Sequence, residues 1–447
     1  MQKRYARWFT LFLSLLLPLI AACGTNTLTN SNTSLHKVPT VPPGENIYVL
    51  DGYNSSGNAS PAQHIIALHP EQNTLSKNHM LPAGLTSLDH QLVYTATSQN
   101  GHTTIAVINT QTGATIRSFV IAGTYTIDTQ GYDTATLSGN GQWLALREIR
   151  SQSNTTTIAL VDTQSGKLTD TIHLNGDFSL DAISPDGKSI YFLEKLNDSS
   201  GHYQVRLYQV DAHQLADGYI VDKTIPNDIM SGTALTRQMS SDGVIAYTLY
   251  IDTVHNIAFV HILPLGTDFY GARCIDLPVG KAADALHYYM LALSPDGNTL
   301  YAANGALGVV SAISLEGLHV FDDKITTTGH FNSGTGSMTS GDKTRMLHNG
   351  AALSSDGNML YFTGMHGIWA INTPELHAGH SSFVKASYLQ QQTLTGIALS
   401  ANNKTLYAVD PAHGILSLDV ITGTTQQLNS DALQNPWGIE WISNGLK

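Results

Sequence analysis

Residues 182–191 read AISPDGKSIY, which is an apolar pair, a Ser-Pro-Asp-Gly turn and a second run ending in Tyr191. Residues 292–301 (ALSPDGNTLY) and 352–361 (ALSSDGNMLY) repeat this pattern closely. Weaker copies are centred on Ser138, Ser240 and Ser400, and a degenerate copy occupies residues 85–94. In the turn, proline fixes φ, aspartate tolerates unusual backbone angles, and glycine adopts positive φ without steric cost. The unit predicts two strands joined by a structural turn, and the turn is not a Ca²⁺ or catalytic motif.

The spacing of the copies predicts a β-propeller. From Ser138 to Ser400 the serines recur about every 52 residues, which is the length of a blade with inserted loops. After the tyrosine strand come two further alternating runs, as in residues 104–113 and 115–120. Four strands and polar turns per unit are typical of a propeller blade. The count gives an all-β fold of eight four-stranded blades, or seven if residues 85–94 are not a unit.

The two ends of the repeat region predict how the ring closes. Residues 438–445 match the first strand and turn of a unit, but no second strand follows them. Residues 46–51 match a second strand that lacks a first. Pairing these two segments would complete one blade and remove an exposed sheet edge, which otherwise templates aggregation.

The repeat resembles a known family. Ser-Pro-Asp-Gly-x-x-Leu-Tyr followed by Val-x-Asp-Thr-x-Thr-Gly is similar to the YVTN-type propeller repeat, close to the WD40-like and lactonase-like propellers of bacteria. The resemblance covers nearly all of residues 45–447 and implies the fold more than any activity. Lactonase-like members place acid, base and metal-binding groups at the mouth of the central channel. Their ligand pattern has no residue-by-residue match in this chain.

The N-terminal residues predict export and lipid anchoring. Three basic residues precede an apolar run from Trp8 to Ile20, the layout of a signal peptide and too short for a spanning helix. Residues 19–24 (LIAACG) resemble the bacterial lipobox. That resemblance implies cleavage before Cys23 and a diacylglyceryl group on its thiol. We therefore predict a signal peptide at 1–22, a lipidated flexible tether at 23–44 and a propeller at 45–447.

Charge and cysteine content narrow the choice of partners. The chain has 34 acidic residues; without Lys3, Arg4 and Arg7 it would keep 19 basic ones, fifteen net negative charges. Such a balance disfavours nucleic acid. We predict a membrane-anchored envelope protein outside the cytoplasm that contacts the membrane through its lipid. Cys274, the second of two cysteines, lies in an alternating run and is predicted to be a small buried strand residue.

Residues near the predicted first strands are the candidates for function, because these strands line the channel of a propeller and function lies in their loops. We assign possible catalytic roles to His287, His348, Glu440 and Arg237, and binding roles to Asp133, Asp181 and Trp437. Our first hypothesis is a binding or scaffolding module for a protein, glycan or small ligand, without catalysis or cofactor. The alternative is a lactonase-like hydrolase at the channel mouth, with a divalent metal as its possible cofactor.

Two further features carry weaker expectations. Six histidines precede predicted third strands and are expected to be solvated turn residues more often than metal ligands: His64, His102, His202, His255, His366 and His413. The long stretch from Thr326 to Arg345 is expected to be irregular and to act as a lid or be disordered.

Overall fold

The structure is a computed structural model and describes residues 44–52, 63–71, 74–127, 134–149, 155–196, 202–218, 220, 229–266, 271–315, 325–333 and 349–443. The predicted signal peptide and all but the last residue of the predicted tether lie outside these ranges, as does the lipidation site Cys23.

The first half of the described chain contains fifteen strands. In order they are β1 (Asn46–Asp51), β2 (His64–Pro70), β3 (Leu75–Pro82), β4 (Leu85–Thr86), β5 (Leu92–Gln99), β6 (His102–Asn109), β7 (Thr115–Ala122), β8 (Ala135–Leu137), β9 (Trp143–Arg147), β10 (Thr155–Asp162), β11 (Lys167–Asn175), β12 (Phe178–Ile183), β13 (Ser189–Lys195), β14 (Tyr203–Gln209) and β15 (Gln214–Leu215).

The second half adds seventeen strands and two short helical turns. The strands are β16 (Thr233–Met239), β17 (Ile245–Asp252), β18 (Ile257–Pro264), β19 (Arg273–Asp276), β20 (Tyr289–Leu293), β21 (Thr299–Asn304), β22 (Val309–Ser314), β23 (Ile325–His330), β24 (Ala351–Leu353), β25 (Met359–Thr363), β26 (Ile368–Asn372), β27 (Val384–Tyr388), β28 (Gly396–Leu399), β29 (Thr405–Asp410), β30 (Gly414–Asp419), β31 (Thr425–Leu428) and β32 (Pro436–Ser443). A 3₁₀ helix (Ala283–Tyr288) precedes β20, and the helix α1 (Thr373–His377) follows β26.

These strands form eight four-stranded antiparallel sheets, so the predicted eight-bladed propeller is confirmed and the seven-blade alternative is wrong. Blades 2 to 8 each use four consecutive strands, beginning at β4, and the first strands of most neighbouring blades contact one another. Blade 1 has the order β3-β2-β1-β32, in which Tyr48 pairs with Trp441. The predicted closure of the ring by the C-terminal strand is therefore confirmed.

Burial follows the position of each strand in its blade. Second strands such as β29 are buried along their whole length, because both of their faces pack against neighbouring blades. Fourth strands such as β11 alternate between buried and exposed residues, because their outer side meets solvent. The core is accordingly a set of apolar clusters between adjacent blades, and several fully buried tyrosines of the second strands lie in them.

The Ser-x-Asp turn has the same hydrogen bonds wherever it is described. In blade 4 the Ser184 hydroxyl donates to Asp186 at 2.6 Å and accepts from the Ser189 amide at 3.0 Å. The equivalent serines are Ser87, Ser138, Ser240, Ser294, Ser354 and Ser400. In blades 2 and 8 the glycine position is held by His90 and Asn403, with φ of 55° and 57°. The degenerate unit predicted at residues 85–94 is thus a true blade turn.

The tyrosine of the second strand links one blade to the next. The Tyr94 hydroxyl donates to the Gly141 carbonyl of blade 3 at 3.0 Å, and the Tyr407 hydroxyl donates to Glu45 at 3.1 Å. Because Tyr407 belongs to blade 8 and Glu45 precedes β1, the second of these bonds lies across the closure of the ring. The repeat therefore uses this residue both as apolar core and as a polar tie between blades.

Candidate functional site

Three of the predicted site residues lie at β-bulges in first strands. The pairing register of the strands skips Asp181 in blade 4, and Trp437 and Glu440 in blade 1. Asp181 and Glu440 stand three residues before Ser184 and Ser443. The residues on either side of Asp181 pack into clusters on opposite faces of the blade, and the Asp181 side chain itself faces blade 5. Bulges commonly aim side chains at functional sites in this way.

Asp181 and Arg237 form a buried ion pair between blades 4 and 5. Arg237 Nη2 contacts Asp181 Oδ1, and Nη1 donates to the Asp181 carbonyl at 2.7 Å. Arg237 Nε donates to Thr248 Oγ1 at 2.8 Å. The two charged side chains are 10% and 2% exposed. This arginine is held by protein groups on three sides of its guanidinium, as expected of a residue that joins two blades.

The bulge carbonyls accept hydrogen bonds from other blades. The Asp181 carbonyl accepts from Thr136 Oγ1 of blade 3 at 3.3 Å in addition to Arg237. The Glu440 carbonyl accepts from Asn349 Nδ2 at 3.1 Å. Each bulge thus frees a carbonyl at the inner edge of its sheet, and a neighbouring side chain uses it.

Asn349 is a residue of the inner ring that the sequence reasoning missed. It precedes β24 of blade 7 with φ of 53°, and its Nδ2 also donates to the Ile439 carbonyl of blade 1 at 2.9 Å. Its own carbonyl accepts from the Ile397 amide of blade 8 at 3.0 Å. The Asn349-Gly350 dipeptide is a turn signal that marks this position in the sequence.

The remaining candidates are spread around the ring. His287 lies in the 3₁₀ helix before blade 6, and burial lowers its pKa while nearby Asp284 opposes that shift. Trp437 is at the start of β32 and packs against the apolar cluster between blades 1 and 2. Glu440 follows it in blade 1, three blades round the ring from His287. Asp133 and His348 lie outside the described residues, so the predicted roles of the seven residues stay predictions.

An aromatic stack lies beside Glu440. The Trp441 ring stacks on His90 at 5.3 Å and on Tyr48 at 4.3 Å between ring centroids. Burial lowers the pKa of His90, and the carboxylates of Glu440 and Asp89 oppose that shift. The stack explains why a histidine is tolerated at a turn position that elsewhere holds glycine, since its ring gains packing against Trp441.

The upper face of the propeller, defined here by the turns after second strands and the loops that lead into first strands, is tied together by buried polar residues. Asp51 accepts from the Asn435 amide at 2.8 Å, and Asp252 accepts from the Ser231 hydroxyl at 2.7 Å. Asn304 donates to the Ala285 carbonyl at 2.9 Å. In blades 1, 5 and 6 the end of the second strand therefore fixes the loop that leads into the first strand.

Four of the six predicted turn histidines precede third strands, whereas His64 and His102 are the first residues of β2 and β6. Three of the six lie beside an aspartate. Asp252 Oδ2 is 2.7 Å from His255 Nδ1, and Asp410 Oδ2 is 2.8 Å from His413 Nδ1. His64 lies 3.5 Å from Asp51. The bonds from His255 and Ser231 lower the pKa of Asp252 to about 2 against the effect of burial. These turns belong to different blades, and the described part of the chain has no group of three or more metal-ligating side chains.

Part of the predicted lid segment forms a regular strand. Thr326–His330 was expected to be irregular, but it belongs to β23, the fourth strand of blade 6. Its run of β-branched threonines favours a strand even without apolar alternation. Residues 334–345 of the predicted lid lie outside the described residues. Cys274 lies in the strand β19, as predicted, but the expectation that it is buried is wrong, because it is partly exposed in the outermost strand of blade 5. None of the described helices has the length and apolar character needed to cross a membrane.

Sequence comparison gives no relatives: no family profile matches the chain, and neither does any curated protein. Several solved structures are similar in fold. Apo AztD from Citrobacter koseri has a TM-score of 0.48 at 10% identity, covering 90% of this chain and 99% of its own. The dihydro-heme d1 dehydrogenase NirN has a TM-score of 0.46 at 14% identity, covering 92% of this chain and 78% of its own. A proposed 6-phosphogluconolactonase from Bacteroides uniformis has a TM-score of 0.41 at 16% identity, covering 88% of this chain and 99% of its own. The chain is an eight-bladed β-propeller.

Proposed function

We propose that this chain is a lipid-anchored β-propeller of the YVTN/WD40-like kind that acts as a binding or scaffolding module outside the cytoplasm, at the cell envelope. Its ligand, a protein, a glycan or a small molecule, binds on the upper face. The lipobox-like residues 19–24 and the polar tether support the anchoring. A diacylglyceryl group supplies the two chains that stable membrane attachment needs.

The observation that carries the binding role is the rigid upper face. Asp51, Asp252 and Asn304 each fix a loop that leads into a first strand. Loops held on a rigid scaffold lose little conformational entropy when a ligand binds, which favours affinity. Arg237, the cation that a hydrolase would direct at a developing negative charge, is instead committed to Asp181 and Thr248.

Anchoring is tested by labelling. The full chain, expressed in a bacterial host with an alkyne-tagged palmitate, is expected to carry the label and to sediment with membranes. Cys23→Ala should lose both properties, whereas Cys274→Ala, which removes the other cysteine, should keep them. An unlabelled wild-type protein, or a label that survives Cys23→Ala, would contradict the lipid anchor.

Binding on the upper face is tested by cross-linking in intact cells. A photo-crosslinking residue replaces either His413 or Lys188, whose side chains are 61% and 52% exposed. His413 is in an upper-face turn, and Lys188 follows the Ser-x-Asp turn at the opposite end of its blade. Adducts at position 413 but not at 188 are expected. Equal yields from both positions, or adducts only at 188, would contradict the proposal.

A further inference from the structure

The interface between blades 4 and 5 contains an unusual row of polar side chains. Arg237, Thr248, His261 and Cys274 are direct cross-strand partners in blade 5, and residues in register project from the same face of a sheet. The corresponding row of blade 6 begins with Leu291 and Ala302. His261 Nδ1 lies 3.5 Å from Cys274 Sγ, so the row extends from the inner strand to the outermost one.

Two oxygen atoms in this interface are buried and have no hydrogen-bond partner among the described residues. They are Asp181 Oδ2 and the Tyr250 hydroxyl. The two residues are 2% and 1% exposed. The Tyr250 ring is fixed by stacking on Phe259 at 5.4 Å and by an edge contact with His261 at 6.1 Å. The ring thus has a set position, and its hydroxyl is buried from solvent with no acceptor among the residues that the structure describes.

Tyr250 lies two residues after Thr248 on β17, so both side chains project from the same face of the sheet, and Arg237 bonds both Thr248 and Asp181. The two unpartnered oxygen atoms therefore lie in the same interface and have complementary needs. Burial and then the negative charge of Asp181 raise the pKa of Tyr250 well above its ordinary value. The phenol therefore keeps its proton and requires an acceptor, while Asp181 Oδ2 is an acceptor that requires a donor. Leaving either group unsatisfied would destabilise the folded state, and native proteins usually meet such needs with an ordered water.

We propose that a structural water molecule occupies a site between blades 4 and 5, accepting a hydrogen bond from the Tyr250 hydroxyl and donating one to Asp181 Oδ2. A neutral occupant fits better than a metal ion, because Arg237 already compensates the charge of Asp181. Water is also the smallest molecule that both donates and accepts. The site goes beyond the proposed function and depends on neither the ligand nor the lipid anchor.

The test compares Tyr250→Phe with Tyr203→Phe in the purified full chain. Tyr203 lies in the same interface, 5.9 Å from the Tyr250 ring, and its hydroxyl donates to the Ser231 carbonyl at 3.2 Å. Loss of that protein bond should lower the Tm by about 1–3 °C. If water satisfies Tyr250, then Tyr250→Phe should lower the Tm by a similar amount.

If the Tyr250 hydroxyl is instead unsatisfied, its removal relieves a desolvation cost and the Tm of Tyr250→Phe should stay unchanged or rise. A crystal structure of the wild-type protein at better than about 2 Å supplies the second measurement. A solvent peak within hydrogen-bond distance of both atoms, lost in Tyr250→Phe, is expected. Absence of that peak, or a Tm that does not fall, overturns the proposal.

Discussion

Asn349 of blade 7 donates a hydrogen bond to the Ile439 carbonyl of blade 1 at 2.9 Å, although blade 8 lies between these two blades in the chain order. The same residue accepts from the Ile397 amide, so one side chain and its backbone join three successive blades. The closure of the ring therefore depends on this residue as well as on the pairing of β1 with β32.

Substitution of Asn349 should separate the stability contributed by its side-chain amide from the cost of placing a Cβ at its positive φ. Asn349→Gly keeps the positive φ of 53° but loses the amide, and should cost about 1–2 kcal/mol of unfolding free energy. Asn349→Ala loses the amide and also places a Cβ in the left-handed region, so it should cost about 1 kcal/mol more. Urea unfolding of the three proteins measures both differences. If the alanine variant equals or exceeds the wild-type stability, the bridging role is wrong.

The pair of Asp181 and Arg237 should be needed for stability. Arg237→Met leaves a buried carboxylate without its cation and should cost about 3–5 kcal/mol. The double variant Asp181→Asn with Arg237→Met removes both charges and should recover part of that loss. Lys188→Met is the control, because its pair with Asp211 is largely exposed and should contribute little. A double variant no more stable than Arg237→Met would show that packing, and not charge, sets the cost.

Glu45, which lies where the ring closes, should make the free energy of unfolding depend on pH. Burial raises its pKa above the ordinary 4.5, although bonds from the Ala401 amide and the Tyr407 hydroxyl oppose that shift. The folded state therefore holds the proton more tightly than the unfolded state. This contribution is fully present below pH 4.5 and is lost as the pH rises through the raised value.

The variant Glu45→Gln tests the direction of this pH dependence. Relative to this variant, the wild type should be more stable at pH 4 than at pH 7, as measured by unfolding free energy at each pH. If the unfolding free energy of the wild type increases relative to that of Glu45→Gln as the pH rises, the raised pKa is contradicted.

Metal content distinguishes the binding hypothesis from the hydrolase alternative. We expect purified protein to contain no stoichiometric metal and its Tm to be unchanged by a chelator. Elemental analysis and thermal melting before and after chelation measure both quantities. A bound metal whose removal lowers the Tm would favour the hydrolase, and His287→Ala and His348→Ala would then be the first variants to assay.

Much of the fold was predictable because it repeats. The turn at Ser184 specifies a local hydrogen-bond pattern that recurs in the other blades, so many weak signals agree on one architecture. The degenerate copy was readable because Ser87 and Asp89 keep the two side chains that form the turn. β23 was missed because its threonines show no alternation of apolar and polar residues.

The candidate site was predictable only in part. The sequence placed Asp181 and Arg237 in neighbouring first strands, and they do meet. It did not reveal the bulges at Asp181 and Glu440, because a bulge is a property of the pairing between two strands. Asn349 was missed for a similar reason: its partners are backbone carbonyls of a distant segment, and these leave no trace in residue identity.

The pairing of β1 with β32 has a consequence for biosynthesis. The inner strand of blade 1 is Pro436–Ser443, whereas its other strands lie near the start of the propeller. During translation, the edge of blade 1 stays unpaired until residues 436–443, which follow all the other blades, have been synthesised. Long-range pairing of this kind is slow and leaves that edge open to wrong partners. A prematurely terminated chain would therefore remain an unclosed ring whose unpaired strand edge can bind other chains and be recognised by quality-control proteases.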